Sequence, residues 1–216
     1  MGEADGPFPG RSNGLAYRCR RGVVALTDAA GEGNIPPVAS RKFGGEVMTT
    51  VKGAEHDSMR EAVRETIYRA CLLLDDGRFS DWLSLCAPDF RYKITAYSPE
   101  IRKDMTWYEQ DIDGLKNMVQ MLPRHNTDHG RLMRHATVYT IEIDRAKGEA
   151  VATTAFSCYR TALDGINSHL DAGESQLFVI GKYYDRLRLG NDGPRFVERR
   201  VVLETRRLDK GSHYPV

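Results

Sequence analysis

An α+β fold, with helices closing one face of a curved sheet, is predicted for this chain of 216 residues. Two observations predict it. Helical spacing of apolar residues is confined to the part before Pro123, apart from one alternating run at 90–97. From residue 134 onward the chain is a succession of long β-rich runs broken by turn residues. Helices first and a meander afterwards is an α+β order.

The elements follow in turn. Ser58-Met59-Arg60-Glu61 reads as a capping box opening the first helix, whose buried stripe is Val63, Ile67, Cys71 and Leu74. Asp75-Asp76-Gly77 ends it. A short second helix from Ser80 turns Trp82, Leu83 and Leu85 inward, and Ala87-Pro88-Asp89 closes it. The period then changes to two: Phe90, Tyr92, Ile94 and Ala96 alternate with Arg91, Lys93, Thr95 and Tyr97, as in a half-buried strand. Residues 98–107 read as a polar excursion. Leu115, Met118, Val119 and Leu122 predict a helix over 111–122, closed by Pro123. Residues 134–144 carry Thr137, Tyr139, Ile141 and Ile143 on one face. Residues 149–162 are β-rich and end at Leu163-Asp164-Gly165. Residues 175–189 place Leu177, Val179, Gly181, Tyr183 and Asp185 on one face. Asn191-Asp192-Gly193 then turns the chain into an antiparallel return over 195–207.

Residues 1–47 stand apart. They hold nine Gly and four Pro without apolar periodicity, and bury too little apolar surface to offset an ordering entropy of about 1–2 kcal/mol per residue. They are either a disordered tail or the product of a mis-assigned start, since Gly44, Gly45 and Glu46 have purine-rich codons just before Met48. Residues 48–216 form the single folded domain. Thirty-one Lys+Arg against thirty Asp+Glu leave a net charge of +1, which gives no general reason to expect nucleic acid or an anionic membrane as partner. No run approaches the roughly 20 apolar residues of a membrane span. Cys19, Cys71, Cys86 and Cys158 are scattered, as in a reducing cytoplasm, where this protein is expected.

Three stretches carry a family resemblance. They are Leu74-Asp75-Asp76-Gly77-Arg78-Phe79 with Trp82-Leu83; Arg134-His135 at a strand head; and the closing hairpin. In the hairpin, Gly181, Asp185 and Leu187 precede the turn, and Phe196, Arg199, Val201, Leu203 and Glu204 follow it. In this order they resemble the small (beta) subunits of Rieske-type aromatic-ring-hydroxylating dioxygenases. The segment 96–105 and the tail Leu203-Glu204-Thr205-Arg206 look like the small subunit of methanesulfonate monooxygenase. The resemblance implies a cone-shaped mixed or antiparallel sheet backed by N-terminal helices, of the nuclear transport factor two, scytalone dehydratase and cystatin-like kind. It also implies a large (alpha) partner that carries the Rieske cluster and the mononuclear iron. Assembly would be three large plus three small subunits, with the small ones trimerising through their sheets. Substrate is left open between an arene and an alkanesulfonate.

Several groups of residues have the types to carry chemistry of their own. A Rieske cluster needs paired Cys and His at close spacing; no Cys here has a His within three residues, so no cofactor is expected in this chain. His125, Asp128 and His129 have the residue types of a facial triad for non-haem iron, although a solvated helix-to-strand loop explains them more simply. An acid–base pocket could use Asp185, His135 and Tyr183, with Tyr139 nearby. The simpler reading is that Asp185 satisfies Arg199 and lies near the rim, since fold alone confers no activity. Cys71 and Cys158 read as packing residues. Trp107, Tyr108 and Arg206 are expected at interfaces, and residues 210–216 are expected to pack into a neighbouring subunit. The leading expectation is an interaction subunit of an oxygenase. A free-standing cone-fold dehydratase or isomerase is the rival.

Overall fold

A computed structural model describes residues 47–125, 130–163, 172–206 and 214–216, all within the unit Phe43–Val216. The expected tail lies outside them except for Val47.

Helix α1 spans Val47–Asp75, so it starts well before the expected capping box. Ser58 is interior, and Glu61 accepts instead from Arg64 one turn on. The earlier stretch carries no helical signal in the sequence because Thr49, Thr50 and Gly53 are weak helix formers with little apolar pattern around them. Its end is as expected. Gly77 takes φ 69°, its N–H donates to the Leu74 carbonyl at 3.3 Å, and Arg78 N–H donates to Leu73 at 2.8 Å. This is a Schellman motif, and glycine supplies the left-handed residue without steric cost. Val63, Ile67, Cys71 and Leu74 are all buried. Helix α2, Phe79–Ser84, buries Trp82. That indole packs edge-on to Phe90 and Tyr92, with centroids 6.4 and 6.0 Å away. Burying each such side chain contributes about 1.5–3 kcal/mol.

Strand β1 is Cys86–Ser98 and starts earlier than its alternation shows. The polar excursion is a strand as well: β2, Lys103–Asp111, pairs antiparallel with β1. Between them Arg102 adopts φ 52°. An edge strand with one half-buried face needs few apolar residues, which is why its sequence reads as loop. Asp111 caps α3, Ile112–His125, by accepting the Gly114 N–H at 2.9 Å. Pro123 lies inside the last turn of α3 and does not close it. Strands β3 (Arg131–Asp144), β4 (Glu149–Thr161), β5 (Ser175–Gly190) and β6 (Gly193–Leu203) complete a six-stranded sheet of order β2-β1-β6-β5-β4-β3. Every neighbouring pair is antiparallel except β1 with β6, which makes the sheet mixed.

Two bulges overturn two expected faces. Register slips between Val138 and Thr140, so Tyr139 is the extra residue. Before it Arg134, Ala136 and Val138 face the helices; after it Ile141 and Ile143 do, while Thr137 and Tyr139 are exposed. Register slips again opposite Cys158 and Tyr159, which pair with Val179 and Leu177 and leave Phe178 as the extra residue. Leu177 is therefore exposed, and Phe178 joins Val179 inside. A bulge reverses side-chain parity without a change in composition, so alternation alone cannot show it.

Candidate functional site

The inner face of β5 and β6 carries the most deeply buried charges. Asp185 and Arg199 are neighbours in register, each about 1% exposed. Arg199 Nε and Nη2 donate to the two Asp185 oxygens, both at 2.8 Å. The carboxylate is deep in the core and not at the rim, because the register across β4–β5–β6 places Ala152 and Arg199 on either side of it. Burial pushes the Asp185 carboxyl up from its ordinary value, and the Arg199 guanidinium opposes that rise. Burial also acts against the Arg199 cation, but the Asp185 carboxylate outweighs it and holds Arg199 above its ordinary value. The guanidinium lies 4.4 Å from the Tyr183 ring centroid and 4.5 Å from that of Phe196, and Phe156 stacks on Tyr183 at 4.1 Å. Arg199 Nη1 and the Tyr183 hydroxyl have no hydrogen-bond partner among the described residues; the flanking ring faces partly compensate the cation.

A second buried arginine ties the end of the chain to the end of α1. Arg134 donates to the Asp75 carboxylate and to the Pro215 carbonyl, and its backbone N–H reaches Asp75 at 2.9 Å. Tyr92 holds the next residue at two points: its hydroxyl donates to the Val216 carbonyl at 2.8 Å and accepts the Val216 N–H at 3.0 Å. Tyr214 stacks on Phe79 at 5.7 Å. Tyr214, Pro215 and Val216 thus pack into their own subunit, contrary to the expectation of a neighbour, since Arg134 and Tyr92 supply the backbone partners. The rest of 210–216 lies outside the described residues.

The remaining candidates do not converge. His135 points from the opposite, exposed face of β3, edge-on to Tyr159 at 5.4 Å. Asp185 and Tyr183 share the inner face, so the sheet separates them from His135. His125 ends α3, while Asp128 and His129 lie outside the described residues. Among the described residues, no three His, Cys, Asp or Glu come together as a metal would require.

Trp107 and Tyr108 are half-buried against their own core. Arg206 pairs with Glu100 in the β1–β2 turn. Arg206, with Ser98, pulls the Glu100 carboxyl from 4.5 down to about 2. A lowered folded value means this contact is fully present above the unfolded value and is lost as pH falls through about 2. Carbon-13 NMR of the Glu100 carboxyl should show that midpoint, and Arg206→Ala should return it to the ordinary carboxylate range.

Burial raises the thiols of Cys71, Cys86 (to about 12) and Cys158 (to about 11). At pH 8 iodoacetamide should leave all three unmodified in the native protein and label them after denaturation. Mass spectrometry reads the outcome, and native labelling at any of them would contradict the burial described.

One surface gave no warning in the sequence. Met133, Tyr159 and Leu177 are register neighbours across β3, β4 and β5 on the outer face, 59%, 38% and 52% exposed. With Ile180 and Tyr139 also exposed, this face carries large apolar side chains with no cover among the described residues. The signal was apolar residues at outward positions, hidden by the two bulges.

Residues 55–200 match the SnoaL-like domain. The chain is 49% identical over 156 residues to the methanesulfonate monooxygenase hydroxylase subunit beta of Methylosulfonomonas methylovora, covering 72% of this chain and 86% of that one. It is 32% identical over 155 residues to the 2-aminobenzenesulfonate 2,3-dioxygenase subunit beta of Alcaligenes sp, covering 72% and 97%. Among solved structures, an NTF2-like protein with a cystatin-like fold from Novosphingobium aromaticivorans superposes with a TM-score of 0.55 at 15% identity, covering 76% of this chain and 94% of that one.

Proposed function

Because the chain belongs to the SnoaL-like domain family and, within it, to the small (beta) subunits of Rieske-type oxygenases, we propose that it is a non-catalytic scaffold. Its place is in an oxidoreductase complex beside an alpha subunit. In this reading the alpha subunit carries the Rieske cluster and the mononuclear iron, and the assembly holds three of each subunit. Both curated relatives are named for sulfonates, so the substrate of the complex is read as a sulfonate.

The carrying observation is the 49% identity to a beta subunit across 86% of its length. The interior supports the non-catalytic part. Asp185 has both oxygens held by one guanidinium, an arrangement that fixes a charge in place and leaves the carboxylate poorly placed to pass a proton. His135, its candidate partner, is on the other face of the sheet. Among the described residues, Asp185 and His135 do not converge as the acid–base pair that a free-standing enzyme would need.

The outer apolar row of Met133, Tyr159 and Leu177 is read as the face that meets another subunit. Co-expression with an alpha subunit of a sulfonate oxygenase tests the whole proposal: the two chains should co-purify as a complex whose iron is lost when the alpha subunit is left out. Turnover by this chain alone, or iron bound to it alone, would refute it. Leu177→Asp, at an exposed position that spares the core, should leave the melting temperature within a few degrees. Light scattering should nevertheless show a smaller assembly. An unchanged mass would remove this row from the interface.

A further inference from the structure

A cavity of about 260 Å³ lies between the inner face of the sheet and α3, outside the Asp185–Arg199 site. Its walls include Trp107 and Tyr108 from β2, Tyr92 from β1, Met118 from α3, Phe178 from β5 and Leu203 from β6, and Tyr214, Pro215 and Val216 complete the wall. None of the lining side chains carries a charge. Two independent features show that this space is built. The β5 bulge turns Phe178 inward where strict alternation would send it out, a device by which strands re-aim a side chain at a site. The third wall is a chain segment held on the Tyr92 hydroxyl and the Arg134 guanidinium, polar anchors that keep apolar Val216 against the cavity.

Size and lining define the occupant. A dry apolar cavity of about 150 Å³ accepts benzene, so this one holds a single ring with a small substituent. Ring faces and a methionine thioether favour an aromatic guest. An anion would lose its hydration with no cation on the wall to replace it. We infer that this cavity is a binding site for a neutral, single-ring aromatic molecule, with Tyr214, Pro215 and Val216 as the wall that closes it. A sulfonate is excluded by the same chemistry, so the site is distinct from that of the substrate read above, and the inference does not rest on that reading.

The chain has two tryptophans, of which Trp107 lines the cavity and Trp82 does not. The full chain labelled with 5-fluorotryptophan is titrated with p-cresol and followed by fluorine NMR. The Trp107 resonance should shift saturably, with a half-point on the order of 1 mM, while Trp82 stays fixed. Benzenesulfonate, the same ring bearing a charge, should give no shift. Met118→Phe, which fills the space, should weaken binding by about tenfold or more. Overhauser contacts from the p-cresol ring to the Met118 methyl group place the ligand without any substitution. No saturable shift at Trp107 up to about 10 mM, an equal response to benzenesulfonate, or no Overhauser contact to Met118 would each overturn the inference.

Discussion

Asp185→Ala should lower the stability of the folded chain by about 3–5 kcal/mol, because it strands the Arg199 cation in the core. Arg199 is about 1% exposed, and among the described residues its only ionic partner is Asp185. Water cannot reach it without opening the sheet. The rings of Tyr183 and Phe196 on either side soften the loss but do not replace a counter-charge. With a urea dependence of about 2 kcal/mol per molar, the unfolding midpoint should fall by about 2 M. The double change Asp185→Leu with Arg199→Met removes both charges and keeps the volume, so it should recover most of that loss. A single variant as stable as the wild type, or a double variant less stable than the single, would show that the pair does not act as a compensated buried charge.

That pair also shows which parts of the molecule were legible in the sequence. The facing of Gly181, Tyr183 and Asp185 follows from strict alternation along β5, and it holds because no bulge interrupts the strand there. The partnership of Asp185 with Arg199 could be anticipated from the opposite charges on the two strands of the hairpin. The turn register alone, with Gly190 opposite Gly193, would set Asp185 against Glu198; a slip between Arg186 and Leu187 brings Arg199 opposite it. Depth could not be anticipated. How far Asp185 lies from solvent is set by β4 on one side and β1 beyond β6 on the other, contacts distant in sequence. The same limit explains Leu177 and Tyr139. Each bulge inserts one residue and exchanges inside for outside over the strand beyond it, so Leu177 and Tyr139, which face outward, read as core. β2 escaped for the opposite reason, an edge strand whose residues are mostly polar. The resemblance fared better than periodicity because motif order carries the topology, including the parallel β1–β6 contact that no local pattern contains.

The motif residues themselves carry architecture, and Gly181 makes this testable. Its backbone is not in the left-handed region, so conformational freedom does not explain it. Space does. A Cβ at 181 would lie 2.3 Å from the Val202 carbonyl oxygen and 3.1 Å from the Leu203 Cα, both backbone atoms of β6. Neither can turn aside, so the strands must separate where Gly181 faces Leu203. Gly181→Ala should therefore cost about 1–3 kcal/mol, with hydrogen-exchange protection lost first in the amides of β5 and β6 around that pair. Gly190→Ala is the control on the same strand. There the added carbon would meet only the Gly193 carbonyl, at 3.6 Å, an ordinary contact. Alanine also narrows the unfolded ensemble by about 0.4–1 kcal/mol, so the control should be neutral or slightly more stable. The same methyl group thus has opposite signs at two positions of one strand. If both variants melted alike, close approach of β5 and β6 would not be what requires glycine in the hairpin motif.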